Sequence, residues 1–250
     1  MPQVRIEWLY SVESTNAEAL SRAAGGETGP LWIVAGQQTG GRGRNGRTWI
    51  SAPGNLYASL LLSFARSLPN IAQLSLVAGL AVHDGIAGLA QKLPLQLKWP
   101  NDLLIGDAKL AGILIEGRMA AGSVAHNVVV GIGVNLAHHP TLEGRRTTSL
   151  NAHGVSAQPA TALDHVSDAF HHWRDVWAEG AGFAAVRQAW MARAVPVGTP
   201  VSVHTGAERL EGRFLGLEAD GAMTLGLEAG RQRRISFGDV HIGAPPGADD

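Results

Sequence analysis

The chain has 250 residues, of which 45% are hydrophobic and only 16% are charged, and this composition excludes an intrinsically disordered protein. A formal net charge of -1 excludes a uniformly basic surface, so binding to nucleic acid or to an anionic membrane would require a local basic patch. The absence of cysteine excludes disulfides and thiolate metal sites, and the lack of a signal sequence or of ~18 consecutive apolar residues predicts a cytoplasmic protein.

The first half of the chain predicts a short helix, a buried strand, a hairpin and a long helix. Residues 12–24 have a helical pattern with Ser14 or Thr15 as the N-cap, and LWIVAGQQ follows as a buried strand. TWISAP and NLYASLLLS have strand character on both sides of a Pro-Gly-Asn turn, which predicts a hairpin. Apolar residues at helical spacing over residues 70–93 predict a core helix with Asn70 as its N-cap.

The second half predicts a β-meander, a helical region and an all-β tail. LQLKW, LLIG, KLAGILIEG and HNVVVGIGVNL form consecutive strands separated by turns, whereas residues 161–192 return to a helical pattern. Short strands follow, and LGLEA occurs twice in a way that predicts the two arms of one hairpin. We therefore expect an α/β (α+β) fold with two domains, a mixed β-sheet flanked by helices in residues 1–194 and a small β-barrel in residues 195–250.

Residues 39–47, TGGRGRNGR, are predicted to form a loop, which we call the Arg/Gly loop. It matches G-x-G-x-x-G, but a β-like segment follows it and no acid occurs from Thr28 to His83, so a dinucleotide-binding fingerprint is rejected. A P-loop is rejected because Arg42-Gly43 stands where Lys-Ser/Thr is required. Glycine amides and arginines without a local acid favour a phosphate or carboxylate site. A solvated linker and an RNA-binding segment are the alternatives.

Lysine is rare in this chain, and two of its three lysines lie in one short stretch. Lys98 ends one predicted strand and Lys109 begins another, so both are expected near the same edge of the sheet, close to Asp102. Lysine can deliver a compact positive charge to a developing oxyanion, and Asp102 could orient an amine or a ribose hydroxyl. A solubilising charge at a strand end is the alternative for each lysine.

Six segments occur in an order that resembles the motif series of biotin–protein ligases. They are Ser14-Thr15-Asn16, Gln37-Gln38, GRGRNGRTW at 41–49, KWPND at 98–102, KLAGILIE at 109–116 and GIGVN at 131–135. The likeness covers residues 8–137 and is to the monofunctional type without the DNA-binding domain. It implies a class II synthetase-like ligase domain followed by a small SH3-like β-barrel. Asn45 departs from the pattern, because the family commonly has a third basic residue there.

The resemblance also implies a two-step reaction. Biotin would be activated by ATP to biotinyl-5'-adenylate and then transferred to a specific lysine of a biotin carboxyl carrier protein. ATP and biotin would be substrates, Mg²⁺ would accompany ATP, and neither a resident metal nor binding to DNA or membrane is implied; a homodimer is left open. The alternatives are a lipoate or octanoyl ligase or transferase of the same architecture, and a non-catalytic nucleic-acid-binding protein.

Roles for individual residues follow from the resemblance alone. The residues implied to bind biotin are Ser14, Thr15, Asn16, Gln38, Arg42, Gly43, Arg44, Lys109, Gly112 and Leu114. Those implied to bind ATP or the adenylate are Arg42, Arg44, Arg47, Trp49, Lys109 and Asn135. The catalytic candidates are Lys109, Arg44, Lys98 and Asp102. Among these, Lys109 would stabilise the charge that develops between carboxylate and phosphate, and Asp102 would position the incoming lysine.

Overall fold

A computed structural model describes residues 4–65, 71–119 and 126–243. The first part of the chain contains β1 (Arg5–Leu9), α1 (Thr15–Ala24), β2 (Leu31–Ala35), β3 (Leu56–Phe64), α2 (Gln73–Leu89), β4 (Leu95–Lys98), β5 (Asp102–Ile105), β6 (Ala108–Met119) and β7 (His126–Val134). The second part contains α3 (Pro159–Trp177), α4 (Phe183–Arg193), β8 (Pro200–His204), β9 (Arg209–Leu217), β10 (Met223–Gly226), β11 (Gln232–Ile235) and β12 (Asp239–Ile242).

Strands β1 to β7 form one mixed sheet in the order β1-β2-β3-β7-β6-β5-β4. Strands β1 and β2 run parallel, and every other neighbouring pair is antiparallel. The predicted β-meander is confirmed, since β4, β5, β6 and β7 pair consecutively in this sheet. The predicted mixed sheet flanked by helices is therefore the fold of this part of the chain.

Successive side chains of each strand point to opposite faces of the sheet, and each face packs against different helices. In β2, Leu31 and Ile33 pack with Ala19 of α1, whereas Trp32 and Val34 belong to the main core on the opposite face. The predicted first helix is confirmed from residue 15 onwards. Ser14 is the residue that caps it, because its side chain accepts a hydrogen bond from the helix backbone.

Helices α2, α3 and α4 cover the other face of the sheet. The Trp32 ring meets the Phe170 ring edge to face at 6.4 Å, and its Nε1 donates to Ser167 Oγ at 3.1 Å, so α3 is fixed to the sheet. The predicted long helix is confirmed as α2, whose N-cap is Ala72. The predicted cap, Asn70, lies outside the described residues. None of the helices in the described ranges is long and apolar enough to span a membrane.

The predicted hairpin of TWISAP and NLYASLLLS is wrong, because only the second segment is a strand. Both edges of that strand, β3, are already occupied by β2 and β7, so no edge is available to a preceding segment. The preceding segment instead turns back on the Arg/Gly loop, where Thr48 makes an isolated bridge to Arg42. Tyr57 Oη of β3 donates a hydrogen bond to Ala52 O of this preceding segment at 2.7 Å.

The predicted helical region 161–192 is two helices rather than one. Ala178 and Glu179 adopt left-handed φ values of 46° and 54°, which interrupts the helical backbone between α3 and α4. Aromatic residues of both helices are buried in the main core, among them Phe170 and Trp190. The break changes the direction of the chain between two helices that both pack on the main core.

The tail forms a five-stranded antiparallel sheet in the order β11-β10-β9-β8-β12. The predicted LGLEA hairpin is confirmed, with Leu217 opposite Met223. Within the described residues no pairing joins β11 to β12, so the unit is an antiparallel sheet and no closed barrel is observed. It packs against α4 and against the turn that follows β4, since Phe214 meets Trp190 at 6.4 Å and Trp99 Nε1 donates to Gly221 O at 3.0 Å.

Candidate active site

A pocket lies on the face of the first sheet that carries α1. The register of β6 and β7 places Gly112 opposite Gly133 and Leu114 opposite Gly131, and all four residues line the pocket. Three of the four have no side chain, so the two strands leave a depression where other residues would fill the space. The motifs KLAGILIE and GIGVN thus supply the floor of the pocket.

Neighbouring side chains occupy the space above these glycines. A Cβ at Gly131 would lie 2.1 Å from Asn16 Oδ1, and a Cβ at Gly133 would lie 2.6 Å from Trp49 Cε2. Because real Cβ contacts do not reach such distances, both positions require glycine for packing. The floor is therefore matched to two residues predicted to bind the ligand.

A buried polar network forms the wall at the start of α1. Gln38 Oε1 accepts from Thr15 N at 2.8 Å, and Ser59 Oγ donates to Asn16 Oδ1 at 2.6 Å. Asn16 Nδ2 donates to Glu116 Oε2 at 2.7 Å. These side chains are held in fixed orientations, and they offer both donors and acceptors to a polar ligand group.

The Arg/Gly loop forms a second wall of the pocket. It contains a short 3-10 turn over Arg44–Gly46, in which Asn45 has φ 56° and ψ 32°, a left-handed conformation that asparagine tolerates well. Arg44 Nη1 lies 3.3 Å from Asn101 Oδ1, and burial lowers the pKa of Arg44 although Asp239 and Asp102 oppose the shift. The loop thus presents partly buried arginines and glycine amides to the pocket.

The counter-charge for the loop comes from a distant part of the chain. The sequence provides no acid near the loop, but Arg47 Nη2 forms an ion pair with Asp239 Oδ1 at 2.6 Å. Asp239 is the first residue of β12 in the tail sheet. The local sequence has no acid for these arginines, and the fold supplies one from the tail sheet.

Both lysines meet at one carboxylate, as their placement at the same sheet edge predicted. Asp102 is only 10% exposed, lies 2.9 Å from Lys98 Nζ and forms an ion pair with Lys109. Burial disfavours its charged form, but Lys109 and Lys98 outweigh this effect and hold the pKa of Asp102 well below its usual range. The Lys109 ammonium also lies 5.3 Å from the centre of the Trp49 ring.

Asn135 is buried at the end of β7 and holds the segment that closes the pocket. Its Nδ2 donates to Thr148 O at 3.0 Å, while Lys109 N donates to Arg146 O at 2.9 Å. Residues 140–147 are thereby drawn alongside Lys109, and Arg145 and Arg146 line the pocket. Asn135 consequently supports the site indirectly, by fixing the backbone at Thr148 next to the segment that lines the pocket.

The structure brings the predicted site residues together. Thirteen of them line the pocket, namely Ser14, Thr15, Asn16, Gln38, Arg42, Gly43, Arg44, Arg47, Trp49, Lys109, Gly112, Leu114 and Asn135. Lys98 and Asp102 lie outside it and line an adjoining cleft, which they share with Lys109. Among the described residues no group of three or more His, Asp or Glu side chains could hold a metal ion.

Sequence reasoning missed several residues that the structure places at the site. Ser59 and Glu116 orient Asn16, and the adjacent Arg145 and Arg146 add positive charge. Glu116 ends the quoted motif KLAGILIE, and Arg145-Arg146 is a visible basic pair, so both could have been found. Ser59 could not, because it is an ordinary residue of a buried strand.

Residues 8–135 match the model of the biotin/lipoate A/B protein ligase family. The chain belongs to this family. A biotin–[acetyl-CoA-carboxylase] ligase of Paracoccus denitrificans is 40% identical over 232 residues, which are 90% of this chain and 95% of that protein. A ligase of the same name from Mycobacterium tuberculosis is 33% identical over 250 residues, covering 94% of this chain and 88% of that protein.

A solved member of the family has the same fold. The biotin protein ligase of Aquifex aeolicus in complex with biotin and ATP superposes with a TM-score of 0.77 at 27% identity. The alignment covers 96% of this chain and 98% of that one, so it includes the tail sheet as well as the ligase part.

Proposed function

We propose that this chain is an ATP-dependent biotin–carrier protein ligase that forms AMP. The observation that carries this proposal is one pocket with a rigid polar wall at α1 and a cationic wall formed by the Arg/Gly loop and Lys109. Biotin has a neutral polar ring at one end and a carboxylate at the other, so it matches the two walls. The names of the relatives and of the solved family member support the same assignment.

In the first step, a carboxylate oxygen of biotin attacks the α-phosphorus of ATP. The bond from that phosphorus to the leaving oxygen breaks, which yields biotinyl-5'-adenylate and pyrophosphate. Ser14, Thr15, Asn16 and Gln38 would hold the ureido ring, while Arg42 and the Gly43 amide would bind the anionic groups. Lys109 would stabilise charge that develops between carboxylate and phosphate, because its ammonium is a compact charge.

Four further residues would act on the nucleotide. Trp49 packs over the glycine floor, and its buried Nε1 has no hydrogen-bond partner in the described structure. A buried donor without a partner is costly, which favours its donation to a bound ligand. Asn135 would act through the residue 140–147 segment. Arg44 would bind the phosphate directly, and Arg47 would add positive charge to the adenylate site while it stays paired with Asp239.

In the second step, the amine of the acceptor lysine attacks the acyl carbon of the adenylate. The bond to AMP breaks, an amide forms, and one proton is lost from the amine. Asp102 would position that amine, and its low pKa argues that it acts as a fixed anion and not as a strong base. Lys98, which contacts Asp102, would serve as a second electrostatic group.

Mg²⁺ would enter with the triphosphate. Magnesium in nucleotide sites is commonly held by substrate phosphates together with one or two carboxylates. Two carboxylates beside the pocket, Asp102 and Asp239, are already paired, the first with two lysines and the second with Arg47. We therefore treat Mg²⁺ as part of the ATP substrate, which supplies charge neutralisation of the phosphates.

The remaining assignments concern partners and organisation. We assign residues 1–194 to the catalytic domain and residues 195–250 to a C-terminal domain, and we place the protein in the cytoplasm. Its macromolecular partner would be a biotin carboxyl carrier protein, not DNA or a membrane. A homodimer remains an alternative to a monomer, and light scattering of the purified protein would decide between them.

The test is incubation of the purified chain with ATP, labelled biotin and a biotin carrier domain. A biotinyl adduct on one carrier lysine, together with AMP, is expected by mass spectrometry. Parallel reactions with lipoate or octanoate test the alternative that the family also contains. A duplex shift assay at physiological salt tests nucleic-acid binding, for which the ligase assignment expects no measurable affinity. Transfer of lipoate but not biotin, or tight duplex binding without transfer, would reject the proposal.

A further inference from the structure

The tail sheet contacts the Arg/Gly loop through one carboxylate. Asp239 accepts from Arg47 Nη2 at 2.6 Å and from Asn45 Nδ2 at 3.0 Å, and its side chain is only 20% exposed. Arg44 Nη1 lies farther away, at 3.9 Å from Asp239 Oδ1. That distance exceeds hydrogen-bond range, so the carboxylate binds one end of the loop more closely than the other.

The backbone conformation of Asn45 lets its side-chain amide reach Asp239. Its left-handed backbone and the left-handed Gly46 that follows it form a tight turn, with φ values of 56° and 70°. Asparagine adopts this conformation more readily than arginine or lysine. The residue that departs from the family's basic pattern is therefore the one that donates a neutral hydrogen bond to Asp239.

Val240, which follows Asp239 in β12, contacts Lys98, one of the two lysines that pair with Asp102. Lys98 Nζ donates to Val240 O at 2.7 Å while it binds Asp102 at 2.9 Å. The start of β12 thus touches both cationic parts of the site, the loop and the lysines. A segment in that position can transmit the placement of the tail sheet to the loop.

We propose that Asp239 is a positioning residue that anchors the Asn45–Arg47 end of the loop to the tail sheet and leaves Arg44 free to close on the adenylate phosphate. The expected consequence of this anchor is slow release of biotinyl-adenylate, and that consequence rests on the proposed function. Arg44 has longer contacts, 3.3 Å to Asn101 Oδ1 and 3.9 Å to Asp239 Oδ1, so it can exchange them for a phosphate while the shorter bonds of Asp239 to Arg47 and Asn45 stay in place. The tail sheet then acts in retention of biotinyl-adenylate.

The first experiment needs no substrate. Amide hydrogen exchange of the ligand-free protein is compared between wild type and Asp239→Asn, which keeps the shape of the side chain and removes its charge. Exchange at residues 43–48 is expected to become roughly tenfold faster, the change that corresponds to ~1.4 kcal/mol of lost anchoring. Asp220→Asn is the matched control, because Asp220 pairs with Arg234 of the same sheet and does not contact the loop.

The second experiment measures release of biotinyl-adenylate in a double-mutant cycle. Asp239→Ala and Asn45→Ala are each expected to speed release, and the double variant should release no faster than the Asp239→Ala variant. Such non-additivity is the signature of a direct contact. Wild-type release from Asp239→Ala, or fully additive effects, would overturn the anchor.

The outcomes separate this inference from the proposed function. If the wild-type chain makes no biotinyl-adenylate, the proposed function fails, while loop exchange in Asp239→Asn still decides whether the anchor exists. If the adenylate forms and neither exchange nor release responds to Asp239, the anchor fails and the function stands. Faster exchange throughout β8 and β12, equal to that of the loop, would assign Asp239 to general stability of the sheet and also reject the inference.

Discussion

Gly131 of β7 faces Asn16 of α1 so closely that a Cβ on the glycine would lie 2.1 Å from the asparagine Oδ1. Asn16 cannot retreat freely, because Ser59 and Glu116 hold its amide at 2.6 Å and 2.7 Å. The polar wall of the pocket and its glycine floor are therefore one unit. A change in either should alter the other.

Gly131→Ala should weaken biotin binding while the fold persists. The added methyl group displaces the Asn16 amide, and each hydrogen bond to the ligand that is lost costs ~0.5–1.5 kcal/mol, or roughly two- to tenfold in affinity. Isothermal titration with biotin would measure the effect. Gly117→Ala is the control, because the nearest atom to a Cβ there is 3.8 Å away. Unchanged affinity in Gly131→Ala would mean that Asn16 does not bind biotin.

Lys109→Ala should reduce adenylate formation by ~10²–10³-fold, because a stabiliser of developing charge is lost. Lys109→Arg should not restore the rate, since a planar guanidinium cannot take the position of an ammonium between Asp102 and Trp49. Pyrophosphate release measures this step separately from transfer. Lys92→Ala, at an exposed position, is the control. Full activity of Lys109→Arg would return Lys109 to a solubilising role.

Much of the site could be predicted because its residues lie in short local motifs. Ser14 caps α1 through a local hydrogen bond, and the GIGVN glycines follow directly from strand alternation. Lys98 and Lys109 could be placed together because only the short strand β5 and its two turns separate them along the chain. In each case the spacing along the chain determines the spacing in the structure.

The parts that could not be predicted depend on contacts between distant segments. Asp239 meets the Arg/Gly loop only because the tail sheet packs beside it, and no local pattern marks that acid. The hairpin prediction failed for the same reason, since β3 is paired on both edges by strands far from it in sequence. Strand character was recognised correctly in NLYASLLLS, but its partners were not.

Asp84 should make stability depend on pH below about 4. Burial raises its pKa, but hydrogen bonds from His83, Arg193 and Trp173 outweigh burial and lower the pKa of Asp84 to about 2. An ordinary Asp in the unfolded chain titrates near ~3.9, so the stabilisation is complete above that pH and is lost as the pH falls towards the folded value. The contribution is roughly 2 kcal/mol.

Urea unfolding of wild type and Asp84→Asn would test this dependence. At pH 6 the variant should be less stable by roughly 2 kcal/mol, and the difference should shrink as the pH approaches 2. Asp164→Asn is a control on α3, because Asp164 is exposed. A difference that stays constant from pH 6 to pH 2 would show that the loss comes from packing and not from the charge of Asp84.

Arg44→Ala should release biotinyl-adenylate faster without a comparable loss of biotin affinity. The arginine lies 3.3 Å from Asn101 Oδ1 and 3.9 Å from Asp239 Oδ1, whereas Arg47 is tightly paired with Asp239, so Arg44 can turn to a phosphate more readily than Arg47. Loss of charge-assisted bonds costs ~1.5–3 kcal/mol, which corresponds to roughly ten- to 150-fold faster release. Quenched-flow measurement with preformed adenylate gives the rate, and Arg5→Ala on the exposed strand β1 controls for loss of an arginine. Because only the adenylate carries the phosphate, a variant that loses biotin and adenylate affinity equally would place Arg44 at the carboxylate instead.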